Sequence, residues 1–230
     1  MTPQKIAFIS DIHGNYVALD RVLQKIDELE ITTVLCAGDV VGYHTQINQC
    51  CNVLREREII TVMGNHDWYV GGHGFCPRSK SVNDMLPYQR KKISVENLKW
   101  LEELPLQFSE GGLRMVHGGW ANPIDEYLNN PTEEYFAQLE GQTFVSGHTH
   151  VARVDQFDGK TYCNPGSVGQ PRDLDSRASF AVFEDGQFRF ERVEYDIEEV
   201  GFLMDKAGFE EYYYGGLFTG AQRLQRREKN

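Results

Sequence analysis

The sequence has no apolar run long enough for a membrane-spanning helix. Its first residues, Met1-Thr2-Pro3-Gln4-Lys5, enter a short apolar strand directly, without the charged-then-apolar order of a secretory leader. Both absences point to a cytoplasmic chain that makes no membrane contact. Cysteine is scarce: Cys36, Cys50, Cys51, Cys76 and Cys163 make an odd count with no C-x-x-C spacing, which argues against a disulfide framework or a zinc knuckle. Cationic excess is lacking too. With 23 Lys and Arg against 34 Asp and Glu, the net charge of −11 excludes a broad nucleic-acid footprint, so any phosphate must be attracted locally. No repeat or low-complexity linker divides the 230 residues, a length that supports one domain over 1–230 with its own core.

What is present is a strand–helix rhythm. Lys5 to Ser10 reads as a buried strand that opens into Asp11-Ile12-His13-Gly14-Asn15, where Asn15 caps a helix with Leu19, Val22, Leu23, Ile26 and Leu29 at helical spacing. The pattern repeats with strand Thr33 to Ala37, loop Gly38-Asp39-Val40-Val41-Gly42-Tyr43 and a helix with Ile47, Cys50, Cys51 and Leu54 on one face. A third strand, Ile59 to Met63, leads to a loop Gly64-Asn65-His66-Asp67. Consecutive βα units imply parallel strands with their polar loops on one edge, so Asp11, His13, Asp39, Asn65 and His66 share a rim.

Residues 68–105 read as mostly helical, with Ser94 as a cap, and carry Arg78, Lys80, Arg90, Lys91 and Lys92, a basic flank or a solvated helix face. Beyond them, Leu113 to Val116 is a strand ending at His117, and Asn130-Pro131-Thr132-Glu133 starts a helix with proline first. Thr143 to Ser146 is a strand delivering Gly147-His148-Thr149-His150. Further β segments are expected near 154–157, 179–183 and 188–195, then a C-terminal helical extension at about 196–230 with a charged end over 223–229.

Of seven histidines, His13, His66, His117, His148 and His150 each stand at the end of an expected strand. With Asp11, Asp39 and Asn65 they form a mixed N/O donor set suited to manganese, iron, zinc, cobalt or nickel and poorly suited to calcium. Eight donors exceed one tetrahedral ion, so two ions sharing a carboxylate are expected. Such ions, about 3.5 to 4 Å apart, deprotonate a shared water and clamp a phosphoryl group during in-line displacement. With only two carboxylates among the donors, about two positive charges stay on the pair and draw an anion into an acidic protein.

The ordered blocks Asp11-x-His13, Gly38-Asp39, Gly64-Asn65-His66-Asp67, His117 and Gly147-His148-Thr149-His150 resemble the signature of the calcineurin-like metallophosphoesterases. The stretch Asn164-Pro165-Gly166-Ser167-Val168-Gly169-Gln170-Pro171-Arg172 resembles their small bacterial phosphodiesterase branch and extends the likeness to about residue 185. The resemblance implies an α/β fold, a four-layer α/β/β/α sandwich of two mixed sheets flanked by helices. It implies that Asp11, His13 and His150 hold one ion, that Asn65, His117 and His148 hold the other, and that Asp39 bridges them. His66 would protonate the leaving group after attack by a metal-bridging hydroxide. The implied substrate is a small phosphorylated molecule such as a nucleotide, cleaved at a phosphodiester or phosphoanhydride bond. Phosphomonoester hydrolysis and a non-catalytic scaffold of the same fold are the alternatives.

Two departures bear on substrate. Where protein phosphatases and symmetric dinucleoside tetraphosphatases continue the second block with an aspartate and an arginine, this chain has Gly42-Tyr43, and Met63 stands where the third block begins with arginine. The carboxylate that would orient His66 is therefore missing, with Asp67 as the nearby substitute, and so are the arginine clamps of those blocks. Tyr16, Tyr43, Trp68, Tyr69 and Trp120 follow the blocks and are candidates to line the mouth, with Asn65, His66, Tyr43 and Trp68 as substrate contacts. His44 and His73 match no block and read as polar loop residues.

Overall fold

A computed structural model describes residues 5–221. Two five-stranded mixed sheets face one another. The first contains β1 (Ile6–Ile9), β2 (Thr33–Cys36) and β3 (Ile60–Thr61), all parallel, followed by β9 (Ala178–Glu184) and β10 (Gln187–Val193) added antiparallel, in the order β10-β9-β1-β2-β3. The second runs β4-β5-β6-β8-β7, from β4 (Gln107–Glu110), β5 (Leu113–Val116), β6 (Thr143–Val145), β7 (Arg153–Phe157) and β8 (Lys160–Asn164); β5, β6 and β8 are its parallel core.

Alternation along β1 shows how the layers stack. Ala7 and Ile9 point to the helices, with Leu19, Val22, Leu23 and Ile26 of α1 (Tyr16–Glu28) and Cys50, Cys51 and Leu54 of α2 (Ile47–Glu56). Phe8 points the other way, into the gap between sheets, against Leu35, Val62, Met115, Val145 and Cys163. On the far side of the second sheet, Phe144 and Tyr162 pack under Phe136 of a short helix over Glu133–Ala137. Helices thus cover both outer faces, and the four layers expected from the resemblance are present. Asn15 caps α1 by accepting from the Ala18 amide, and Ser94 caps the helix at Val95–Glu102 by accepting from the Asn97 amide. All five cysteines are buried and free. Among the described residues, no helix is long and apolar enough to cross a membrane.

Several expectations are corrected. The third strand pairs only over Ile60–Thr61, and Asn65-His66-Asp67 are not loop residues but the first turn of a helix at Asn65–Val70. Asp67 makes that turn, accepting from the amides of Gly64 at 2.9 Å and Val41 at 3.1 Å. Pro131 precedes the cap of its helix rather than starting it, because Thr132 accepts from the Tyr135 amide. Strands β4 and β8 carry no apolar alternation: β4 is a largely exposed polar edge, and β8, between β6 and β7, has no Val, Ile or Leu. The C-terminal segment forms one helix, Ile197–Lys206, then two 3₁₀ turns; the charged end over 223–229 lies outside the described residues.

Candidate metal centre

The carboxyl ends of β1, β2 and β3 in one sheet and of β5, β6 and β8 in the other open on the same side, and backbone hydrogen bonds lock their loops together. The Asp11 amide donates to Gly38 O at 3.0 Å, Gly147 to His117 O at 2.9 Å, and Val168 to Ser10 O at 3.0 Å. The chain pays for this convergence in backbone strain. Asp11, His13, Asp39, His148 and His150 have φ of 53°, 54°, 54°, 67° and 62°, a left-handed region that costs a non-glycine residue about 1–2 kcal/mol each.

The result is a buried pit of facing donors. His13 Nε2 lies 3.0 Å from His150 Nε2, and Asp11 Oδ1 lies 3.7 Å and 3.2 Å from those two nitrogens. Beside them, His117 Nε2 lies 3.0 Å from Asn65 Oδ1, 3.1 Å from His148 Nδ1 and 3.3 Å from Asp39 Oδ2. The same Asp39 Oδ2 is 3.7 Å from His13 Nε2, so one oxygen belongs to both sets. Nitrogens about 2.1 Å from an ion lie about 3.0 Å apart at right angles and about 3.4 Å apart at the tetrahedral angle. The nitrogen pairs at 3.0 and 3.1 Å therefore have the spacing of neighbouring ligands on one ion.

Outer contacts fix which nitrogen faces inward. The Nδ1 atoms of His13, His117 and His150 donate to the carbonyls of Val41, Ala37 and Gln170 at 3.2, 2.8 and 2.6 Å, which leaves the three Nε2 lone pairs for the pit. Burial holds His13, His148 and His150 well below the usual imidazole pKa, with Arg172 adding to the effect at His150, so these three are neutral ligands in waiting. His117 behaves oppositely: burial disfavours its charge, yet Asp39 and Asp11 hold its pKa up to about 9. Its Nε2 faces only acceptors, so without a cation it keeps a proton there, and that proton occupies the place of a metal. Burial also pushes Asp11 up to about 7, against the pull of His117. At Asp39 burial works toward protonation, but the surrounding imidazoles, His117 first, keep the carboxylate ionised. Lone pairs crowded against lone pairs around two buried carboxylates fit two divalent or transition-metal ions.

His66 stands at the edge of this pit, its amide donating to Asp39 Oδ1 at 2.8 Å while its Nε2 lies 4.0 Å from Asp39 Oδ2. Its other nitrogen, Nδ1, is buried without a hydrogen-bond partner, and Asp67 points away into the turn described above. Gly42 explains why no carboxylate reaches Nδ1. With φ +129°, a β-carbon at this position would sit 2.5 Å from His13 Nδ1 and 2.6 Å from His66 Nδ1, so the two imidazoles occupy the space that a side chain there would need.

A cavity of about 510 Å³ adjoins the pit, lined by Tyr43, Asn65, His66, Arg78, Tyr127 and Arg172 among others. Only Tyr43 of the five candidate mouth aromatics lines it. Trp68 stacks on His73 with centroids 4.1 Å apart, Tyr69 is buried with its ring 6.3 Å from that of His66, Trp120 packs on Phe136 and Phe144, and Tyr16 lines a separate cavity between α1, the start of α2 and residues 194–199. His44 lies in the loop before α2 as expected but is buried, with Nδ1 donating to His13 O at 3.1 Å; His73 is exposed. The motif blocks gave no sign of Tyr127, whose ring lies 3.9 Å from that of His148, or of the Arg78–Asp125 ion pair beside it. Two arginines, neither from the second or third block, line the cavity. Arg78 belongs to the basic flank noted above, and Arg172 ends the Asn164–Arg172 stretch.

Comparison with known proteins agrees with this geometry. The calcineurin-like phosphoesterase superfamily domain matches residues 5–186. An uncharacterised protein of Methanocaldococcus jannaschii is 35% identical over 96% of this chain and 100% of its own length. The crystal structure of a metallophosphoesterase from Sphaerobacter thermophilus is 32% identical, covers 96% of this chain and 100% of its own, and superposes with a TM-score of 0.84. A symmetrical bis(5'-nucleosyl)-tetraphosphatase of Neisseria gonorrhoeae is 32% identical over 60% of this chain but only 51% of its own length. By the extent of the domain match and the full-length likeness, the chain belongs to the calcineurin-like phosphoesterase superfamily.

Proposed function

We propose that this protein is a dinuclear metal-dependent phosphoesterase that hydrolyses a phosphodiester or phosphoanhydride bond in a small phosphorylated molecule such as a nucleotide. One observation carries the reading: two buried donor sets meet at a single carboxylate oxygen, Asp39 Oδ2, beside an open cavity. In this reading Asp11, His13 and His150 hold one ion, Asn65, His117 and His148 the other, and Asp39 both. Ions so placed supply Lewis acidity toward phosphoryl oxygens and an activated water.

The chain's own residues do the rest. Two carboxylates leave a pair of dications about two positive charges in excess, which draws an anion into a protein of net charge −11. A cavity of about 510 Å³ suits a small molecule. His66, at the boundary between cavity and pit, gives a proton to the departing oxygen. Burial holds its imidazole down to about 4, so it takes up that proton as the phosphoryl anion arrives beside it. Asp67 acts through the backbone, tying the amides of Gly64 and Val41 so that the turn presents Asn65 and His66. The partial likeness to a dinucleoside tetraphosphatase supports keeping nucleoside polyphosphates among the substrates.

The test is turnover of bis-p-nitrophenyl phosphate and p-nitrophenyl phosphate by protein loaded with manganese, iron, zinc, cobalt or nickel. Faster hydrolysis of the diester is expected. No turnover with any of these metals rejects the reading, and a preference for the monoester moves it to phosphomonoester hydrolysis.

A further inference from the structure

Arg172 is a cation without a counter-charge at the cavity beside the metal centre. Among the described residues no carboxylate lies within ion-pair distance of it, whereas Arg78 on the same cavity is paired with Asp125. Its Nε is buried and has no hydrogen-bond partner, and its Nη2 donates to Tyr43 Oη at 3.1 Å with the guanidinium 5.7 Å from the Tyr43 ring centroid. The arginine is also held in place. Its amide donates to His150 O at 3.2 Å, His150 Nδ1 donates to Gln170 O, and the Gln170 amide donates to Ser167 Oγ, which in turn donates to Asp11 O. A fixed planar cation with an unused buried N–H is suited to a phosphate oxygen.

Building on the proposed hydrolase activity, we propose that Arg172, positioned by Tyr43, binds a second phosphate next to the scissile one, so that the substrate class is a phosphoanhydride, with the organic group in the cavity between Tyr43 and Tyr127. In this reaction the water oxygen bonds to the scissile phosphorus and the bond from that phosphorus to the bridging oxygen breaks. The electron pair leaves on the second phosphate, and the protons of water pass to that phosphate and to solvent. A phosphate leaving group, with a second pKa of about 6, needs charge stabilisation more than it needs a strong acid. The site has that bias: Arg172 Nε is unpaired, while His66 Nδ1 has no hydrogen-bond partner to orient the ring. One tyrosine ring packs against the His13 and His66 rings at 4.7 and 4.8 Å and the other against His148 at 3.9 Å, leaving aromatic walls for a base.

The experiment compares wild type, R172A and R172K, all manganese-loaded, on diadenosine tetraphosphate and on bis-p-nitrophenyl phosphate, which has a single phosphorus. Circular dichroism and metal content verify each variant. In R172A the ratio of kcat/KM on the tetraphosphate to that on the diester should fall by about 10- to 100-fold, the range open to a charge-assisted hydrogen bond, with R172K between. Calorimetry with the α,β-methylene analogue of adenosine diphosphate should show the same weakening in R172A. A ratio unchanged within twofold overturns the proposal, as does a wild type that cleaves the diester and leaves the tetraphosphate intact. If the wild type cleaves neither when loaded with manganese, iron, zinc, cobalt or nickel, the hydrolase reading fails, and calorimetry then decides the subsite: analogue affinity that R172A lowers supports it, and affinity that R172A leaves unchanged overturns it.

Discussion

Replacing Gly42 by alanine should damage stability, metal binding and turnover together, and the structure gives the size of each effect. The added β-carbon would lie 2.5 Å from His13 Nδ1 and 2.6 Å from His66 Nδ1 at a backbone φ of +129°. Backbone strain of about 1–3 kcal/mol and overpacking of about 1–3 kcal/mol together predict a loss of about 2–6 kcal/mol. Relief to an ordinary contact of about 3.4 Å requires each ring to retreat by about 0.8–0.9 Å. Metal–ligand distances tolerate only about 0.2 Å, so His13 loses its place beside His150 and the ion bound there is released. A shift of about 1 Å in a reacting group costs about 100-fold in rate, so His66 loses its function even where metal persists. Urea denaturation of chelator-treated protein, elemental analysis after manganese loading and bis-p-nitrophenyl phosphate turnover read the three effects. A G42A protein that holds two ions, keeps its urea midpoint and turns over within threefold of wild type would refute the packing argument.

Other perturbations separate the roles. Asp39→Asn keeps the shape but removes the negative charge common to both donor sets, and should lower bound manganese from two ions to one or none by elemental analysis; retention of two would dissociate Asp39 from the centre. His66→Ala should keep both ions and lose about 10²–10⁴-fold in kcat on a diester with an alkyl leaving group, with a smaller loss on a p-nitrophenyl ester; equal losses would argue against proton donation. In metal-free protein, His117 has a folded pKa of about 9 against about 6.5 unfolded, a raised pKa whose stabilisation is complete below 6.5 and lost as pH climbs through 9. Above about pH 8 the buried cysteines add to the fall, because burial keeps the thiols of Cys36, Cys50, Cys51 and Cys163 protonated in the folded chain while unfolded thiols ionise, so the His117 share is the difference between wild type and His117→Gln. From about pH 6.5 to 9.5, stability by urea titration should fall by about 3 kcal/mol more in wild type than in His117→Gln. Parallel profiles in the two proteins would contradict the assignment of a proton at Nε2.

The fold and the donor set were legible for one physical reason, and the cavity was illegible for another. Asp11, His13, Asp39, Asn65, His117, His148 and His150 each follow a short apolar strand, and parallel pairing leaves the ends of such strands on one edge. Their convergence is therefore a consequence of period and order, which a linear sequence displays. The first turn at Asn65–Val70 was hidden because Gly64 has no side chain to act as a cap; the cap is closed from within the helix by Asp67, a local hydrogen bond that composition does not announce. Arg172, Tyr127 and Asp125 come from loops whose paths are set by tertiary contacts, such as the Gly118 amide donating to Pro123 O at 2.7 Å. Trp68 shows the opposite error: its place two residues after His66 suggested a shared cavity, but residues two apart on a helix point about 200° around the axis, to nearly opposite sides, and its ring stacks on His73.

The backbone strain and the electrostatics of the pit are two sides of the same design. A hydrophobic core would not hold five non-glycine residues in the left-handed region, since each costs about 1–2 kcal/mol and packing can be had without it. Nor would it bury Asp11 and Asp39 beside facing imidazole lone pairs, because an isolated buried carboxylate is costlier than any of these conformations. Both penalties act on the same residues, and a divalent cation reverses the larger one by giving every inward lone pair a partner. The left-handed residues lie in the very loops that carry the donors, at 11 and 13, at 39, and at 148 and 150. Strain and buried charge are thus explained together by a bound cation pair, while a scaffold without metal explains neither.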